Sequence, residues 1–128
     1  MPKKLPTEPY KGVRDFYPED WAVQKFIFDT WRSVAEKAGY VEYEASILET
    51  SDLYKPKGAD NEEMVSQQTY TFMDRGEREV TLRPEMTPTV ARMVAGRRRE
   101  LGYPLRYYSI PNCFRYERMQ RGRLREFW

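Results

Sequence analysis

The sequence predicts an α+β fold, a mostly antiparallel sheet flanked by helices. Three observations predict it. Apolar residues recur at helical spacing over one long stretch, from Val23 to Ala38. Short alternating segments bounded by glycine, proline and acidic residues follow that stretch. The connections between those segments are too short for repeated βαβ crossovers.

The first 14 residues carry Pro2, Pro6 and Pro9 and read as an irregular lead. Pro18-Glu19-Asp20 then signals a helix start, because proline suits the first helical position and acids favour the N-terminal end. Val23, Ile27, Thr30, Trp31, Val34 and Ala38 form the expected core face, and Gly39 the left-handed stop. From Tyr40 to Leu48 the period changes to two: Val41, Tyr43, Ala45 and Ile47 alternate with Glu42, Glu44, Ser46 and Leu48, as in a half-buried strand.

Residues 52–63 read as a polar loop around Lys55-Pro56-Lys57-Gly58. Thr69 to Met73 and Glu79 to Arg83 are two strands of a hairpin turning at Asp74-Arg75-Gly76-Glu77. Thr87-Pro88 opens a second helix, with Thr87 expected as N-cap, and Gly102 and Pro104 close it. Leu105 to Ile110, Cys113 to Arg118 and Leu124 to Trp128 are expected strands, with a loop from Met119 to Arg123. The chain stops on Phe127-Trp128 inside a strand, which suggests a piece of a longer protein.

Composition narrows the chemistry. The 128 residues include no histidine and one cysteine, Cys113. Histidine bases, Ser-His and Cys-His nucleophile pairs, internal disulfides and multi-cysteine metal sites are therefore excluded from this chain. No apolar run approaches the ~20 residues of a membrane helix, and nothing at the start reads as a signal peptide. The net charge of +2 hides an asymmetry. Residues 1–91 carry 12 basic and 17 acidic side chains, whereas residues 92–128 carry 10 arginines, no lysine and 3 glutamates. Arginine meets phosphate oxygens through two donors at once, so this bias suggests phosphate recognition. A solvated arginine-rich face is the alternative.

The spacing of the last segment sharpens that suggestion. In strands Arg115 and Glu117 point one way, and Phe114 and Tyr116 the other. On the return strand Arg123, Arg125 and Phe127 share a face. A hairpin can join these sets into one surface suited to a nucleoside triphosphate. Guanidiniums would take phosphates, the ring would stack on a base, and the carboxylate would accept from an amine or hydroxyl. Gly122 would let the loop bend. Two alternatives remain: arginines and glutamates simply paired across strands, or a surface holding an RNA backbone. A second constellation is Thr81-Leu82-Arg83-Pro84-Glu85-Met86-Thr87. Glu85 could accept from a substrate ammonium with the Thr87 hydroxyl beside it, or the pair could serve only the helix start. A third, Tyr10-Lys11-Gly12-Val13-Arg14-Asp15-Phe16-Tyr17-Pro18, could order a ligand or pack on the core.

Taken in order, these segments resemble the N-terminal part of histidyl-tRNA synthetases, class II aminoacyl-tRNA synthetases. The likeness is carried by Lys11 to Phe16, by the helix and strand through Glu49, by Leu82 to Thr87, and by Phe114 to Arg118 with Gln120 to Arg123 and Arg125 to Phe127. Motif 1 would span about 21–49 and motif 2 about 105–128, and motif 3 and the anticodon-binding domain would lie outside the chain. The resemblance implies a partial class II catalytic domain and an ATP-dependent ligase, found in the cytoplasm as a homodimer, that forms histidyl-adenylate and charges tRNA(His). It implies that Arg115 holds the α-phosphate as the catalytic group and Arg123 reaches the β,γ-phosphates. Glu117 would touch the adenine side and Phe127 would stack on adenine. Glu85 and Thr87 would take the α-amino group of histidine, and Gln120 and Arg121 would face the tRNA acceptor end. Magnesium would arrive with the triphosphate, with no dedicated metal ligand in the chain. Ser46 stands where motif 1 usually has a proline at the dimer interface. This piece alone is not expected to be a competent synthetase. The rival readings are a regulatory subunit of ATP phosphoribosyltransferase, a synthetase-like domain that senses uncharged tRNA, and a plain RNA-binding module.

Overall fold

A computed structural model describes residues 2–55, 68–118 and 120–128. Most of the predicted polar loop at 52–63, and Met119 of the motif 2 loop, lie outside the described residues. The first helix, α1, runs Pro18–Lys37 with Pro18 in its first turn and Glu19 and Asp20 behind it. Gly39 follows at φ 87°, the left-handed conformation that lets its N–H reach back to the Glu36 carbonyl at 3.0 Å.

The inward face of α1 differs from the expected one. Phe28 is the buried residue of the helix, while Val23, Trp31 and Val34 lie exposed. Apolar residues occur on two sides of this helix, so periodicity alone does not say which side meets the sheet. The choice is made by an aromatic cluster. Phe28 meets Trp21 at 6.3 Å and Trp128 at 5.9 Å, and Phe16 meets Trp21 at 5.6 Å and Trp128 at 5.8 Å between ring centroids. Three of these four contacts are edge-on, and ring pairs of this kind add ~0.5–1.5 kcal/mol each beyond area burial. The last residue of the chain thereby ties the lead and α1 to the C-terminal strand.

The strands are short and form three small sheets. Strand β1 (Val41–Glu42) pairs in parallel with β5 (Tyr107–Tyr108). Strands β2 (Leu48–Thr50) and β3 (Thr71–Met73) flank β4 (Glu79–Leu82), both antiparallel. Strands β6 (Cys113–Phe114) and β7 (Glu126–Phe127) are antiparallel, with Cys113 opposite Phe127. The expected single strand from Tyr40 to Leu48 is therefore two. Tyr43 is still bonded to Tyr108 O at 3.0 Å, but by Leu48 the chain has left β5 and joined β4. Between them it bends, and Ser46 Oγ accepts the Leu48 N–H at 3.1 Å within the bend. The parallel pair is the one exception among the described strands to an antiparallel layout.

The β3–β4 turn is as the sequence predicts. Asp74 Oδ1 accepts the N–H groups of Gly76 and Arg78 at 2.8 and 2.9 Å, which draws its carboxyl below the usual carboxylate range. A short 3₁₀ turn, Ser51–Tyr54, follows β2. Its Ser51 hydroxyl lies 2.7 Å from that of Thr81, which is also 2.9 Å from the Thr71 hydroxyl. The second helix, α2, runs Thr87–Arg97. Met86 occupies the N-cap position and no side chain caps the helix, so Thr87 is its first helical residue rather than its cap. The helix is instead anchored by buried Thr89, which donates to Glu49 Oε2 on β2 at 2.9 Å.

Candidate functional site

The site is built where β6 leans on the end of β4. The Phe114 N–H donates to the Arg83 carbonyl at 2.9 Å, and the Arg83 N–H donates to the Ile47 carbonyl at 2.9 Å. This places the Pro84–Thr87 turn beside the C-terminal hairpin. Arg115 Nε donates to the Pro84 carbonyl at 3.1 Å, which fixes the plane of its guanidinium. Its Cζ then sits 5.6 Å from the Phe127 ring centroid, within cation–π range. Arg115 Nη1 lies 3.8 Å from Glu117 Oε1, an ion pair too long for a hydrogen bond. The register explains the grouping. Cys113 and Phe127 are opposite, and Arg115 and Glu117 follow Cys113 at intervals of two, so all project to one face.

The strands are shorter than predicted for a specific reason. Arg115 still donates to the Arg125 carbonyl at 2.9 Å, but the N–H groups of Arg125 and Glu126 both turn to the Gly12 carbonyl, at 2.8 and 3.3 Å. The lead thus takes the place of a regular ladder bond. Gly12 has φ 94°, and a Cβ there would sit 2.7 Å from Arg125 Cγ. Only glycine suits both the conformation and the close approach.

Arg125 departs from its expected place with Arg123 and Phe127. Its guanidinium stacks 4.5 Å from the Tyr116 centroid and 5.8 Å from that of Tyr10. Its Nε donates to the Glu117 carbonyl and its Nη1 to the Tyr10 hydroxyl, both at 3.2 Å. Arg125 is a strut between the hairpin and the lead. Tyr70 joins the same group, with its ring 5.3 Å from Tyr116, and burial together with the Tyr10 hydroxyl pushes its phenol up to about 12.

At the hairpin tip Gln120 pairs with Arg123 across a two-residue turn, Arg121-Gly122, with Gly122 at φ 81°. Gln120, Arg121 and Arg123 are exposed. Arg123, Glu117, Arg118 and Gln120 line an open cavity of about 520 Å³. Glu117 is thus shared: it contacts Arg115 on one side and lines the Arg123 cavity on the other. Glu85 and Thr87 are exposed, with no side-chain hydrogen bond or ion pair recorded among the described residues. The structure therefore brings Arg115, Glu117 and Phe127 together, sets Glu85 and Thr87 one and three residues beyond the carbonyl that holds Arg115, and places Arg123, Gln120 and Arg121 further out along the hairpin.

Burial raises the Cys113 thiol above its usual value, although Arg83 and Arg115 pull the other way. A buried thiol of this kind is not a nucleophile at neutral pH. Among the described residues, no cluster of three acidic or cysteine side chains could hold a metal ion, and no helix is long and apolar enough to cross a membrane. One central residue escaped the sequence reading. Arg83 is 1% exposed and ion-paired to Glu44. It shares a strand face with buried Thr81, but nothing local in the sequence marks that face as the inward one.

Comparison with known proteins identifies relatives of the chain. A family model described as histidyl-tRNA synthetase matches residues 12–128. A histidine–tRNA ligase of Leptospira biflexa serovar Patoc is 53% identical over 126 residues, covering 98% of this chain and 28% of that protein. Another, of Thermoplasma volcanium, is 50% identical over 124 residues, covering 97% of this chain and 28% of that protein. Among solved structures, an ATP phosphoribosyltransferase regulatory subunit/histidyl-tRNA synthetase from Bacillus halodurans has a TM-score of 0.76 at 28% identity, over 99% of this chain and 32% of that one. The chain spans under a third of the length of the relatives it matches. Their fold is the one seen here, an α+β portion of a class II catalytic domain. The matched span takes in the end of the lead from Gly12, then the helix, the Leu82–Thr87 turn and the hairpin, and the chain belongs to the histidyl-tRNA synthetase family.

Proposed function

We propose that this chain supplies the ATP- and histidine-holding portion of a histidine–tRNA ligase that acts in the cytoplasm. The observation that carries the reading is Arg115 anchored through Nε on the Pro84 carbonyl while stacked on Phe127. One edge of the guanidinium is fixed, and the terminal nitrogens remain to meet a phosphate. In this reading adenine stacks on Phe127 with Glu117 at its edge, and Arg123 takes the β,γ-phosphates. Glu85 and Thr87 accept the α-ammonium of histidine. A histidine carboxylate oxygen attacks the α-phosphorus, the bond to the β-phosphate bridging oxygen breaks, and pyrophosphate leaves. Arg115 stabilises the charge that develops on the α-phosphate oxygens during this step. Magnesium would neutralise the triphosphate, carried by the nucleotide. Gln120 and Arg121, exposed at the hairpin tip, suit the approach of a tRNA acceptor end.

In the full-length protein, ATP–pyrophosphate exchange should require histidine. Exchange that ignores histidine, or none with correctly folded protein, would point to the regulatory-subunit reading that the Bacillus halodurans neighbour's double name keeps in view.

The exposed apolar side of α1, with Val23 at 62%, Phe26 at 72% and Val34 at 65% exposure, supports a homodimer through this helix. Phe26→Glu combined with Val34→Glu should convert a dimer to monomer in sedimentation. A dimer that survives both charges must be held elsewhere.

A further inference from the structure

Among the described residues, Arg83 is the charged side chain that the fold encloses most fully, at 1% exposure. A cation this deep costs several kcal/mol to desolvate, so its donors need acceptors. They have them on two segments. Nε donates to the Asn112 carbonyl at 2.9 Å, just before β6. Nη1 donates to the Glu44 carboxylate at 2.8 Å and to the Ala45 carbonyl at 2.9 Å, in the bend between β1 and β2. The main chain repeats the link: the Arg83 carbonyl accepts from Phe114, and the next carbonyl, of Pro84, accepts from Arg115 Nε. The two arginines therefore clasp reciprocally. Arg83 Nε bonds a carbonyl on the run into β6, three residues before Arg115, and Arg115 Nε bonds the carbonyl of the residue that follows Arg83.

We propose that Arg83 is a positioning residue whose clasp with the Asn112–Arg115 segment sets the distance between Arg115 and the Glu85–Thr87 turn. This rests on the proposed ligase reading, in which those two groups hold the α-phosphate and the amino acid. Arg83 itself is enclosed and touches neither. Its role follows from the in-line displacement, which needs the attacking oxygen and phosphorus ~3–3.5 Å apart, so that a misplacement of ~1 Å costs ~10²-fold in rate. Lysine cannot substitute, because one ammonium does not reproduce a planar fork aimed at Asn112 on one side and at Glu44 and Ala45 on the other.

The test uses the full-length protein, with active sites counted from the burst of adenylate formed, so that misfolded molecules drop out. Arg83→Lys should lower the exchange rate per active site about 10²-fold while changing the KM for ATP less than about threefold. The amide protons of Phe114 and Arg115 should exchange at least about tenfold faster than in the parent. Glu44→Ala loosens the same clasp from an exposed position while the Asn112 and Ala45 carbonyls still hold Arg83, and is the second variant should Arg83→Lys not fold. It should lower the rate about three- to tenfold in the same direction. A rate per site within threefold of the parent for Arg83→Lys, or unchanged protection of Phe114 and Arg115, overturns the proposal; if Arg83→Lys does not fold, an unchanged rate for Glu44→Ala does so. If the parent shows no histidine-dependent exchange, the ligase reading fails, and amide protection in the two variants alone decides whether Arg83 sets this spacing.

Discussion

Replacing Arg115 with alanine is expected to lower histidine-dependent pyrophosphate exchange in the full-length protein by about 10²–10³-fold, ~2.7–4 kcal/mol of transition-state stabilisation. The fold should tolerate the change. The variant loses one neutral-acceptor hydrogen bond to Pro84 and one stacked contact on Phe127, together ~1–2.5 kcal/mol at a partly exposed position. Arg115→Lys should recover little, because an ammonium keeps the charge but cannot both anchor on Pro84 and present a planar pair of donors. Exchange by Arg115→Ala within tenfold of the parent would remove Arg115 from the chemistry.

Glu85→Gln should act on the amino acid instead. The carboxylate is exposed and makes no side-chain hydrogen bond or ion pair among the described residues, so the change should leave the fold intact. A charge-assisted bond to an ammonium is worth ~1.5–3 kcal/mol, which corresponds to an increase in KM for histidine of about 10- to 10²-fold. The KM for ATP should stay within about threefold, since no phosphate contact is removed. An equal rise in both KM values would mean that Glu85 shapes the turn rather than binding histidine. The pairing of variants is informative because Arg115 bonds the carbonyl of Pro84, the residue before Glu85, and yet their kinetic signatures should separate.

Much of this arrangement is legible in the sequence, and the failures have physical causes. Pro18, the acids behind it and Gly39 mark both ends of α1 because capping is local chemistry. The face that α1 buries is not local. It depends on Trp128, about a hundred residues away in sequence, meeting Phe28. Alternation from Tyr40 to Leu48 places Tyr43, Ala45 and Ile47 towards the interior, where each is partly buried, but fails for Val41, which is exposed. It cannot show that the two ends of that segment pair with different strands, because strand partners are set by long-range topology. Thr87 carries a strong capping signature, but the helix begins one residue earlier than that signature implies, with Met86 in the cap position and no side-chain cap.

The hairpin teaches a related lesson. Period-two logic groups Arg115, Glu117 and Phe127 correctly, since the Cys113–Phe127 register preserves the pleat. It misplaces Arg125, because the lead intrudes: Gly12 takes the N–H groups of Arg125 and Glu126, and Tyr10 and Tyr116 hold the guanidinium. Arg83 was hidden for the opposite reason. An arginine in a strand reads as solvent-facing, and its buried role appears only when the carbonyls of Ala45 and Asn112 converge on it.

The most direct measurement is a crystal structure of the full-length protein with ATP and a non-reactive histidine analogue. It should show adenine stacked on the Phe127 ring and an α-phosphate oxygen ~2.7–2.9 Å from a terminal nitrogen of Arg115. Adenine bound away from Phe127, with Arg115 still directed at Glu117 and touching no phosphate, would contradict the account.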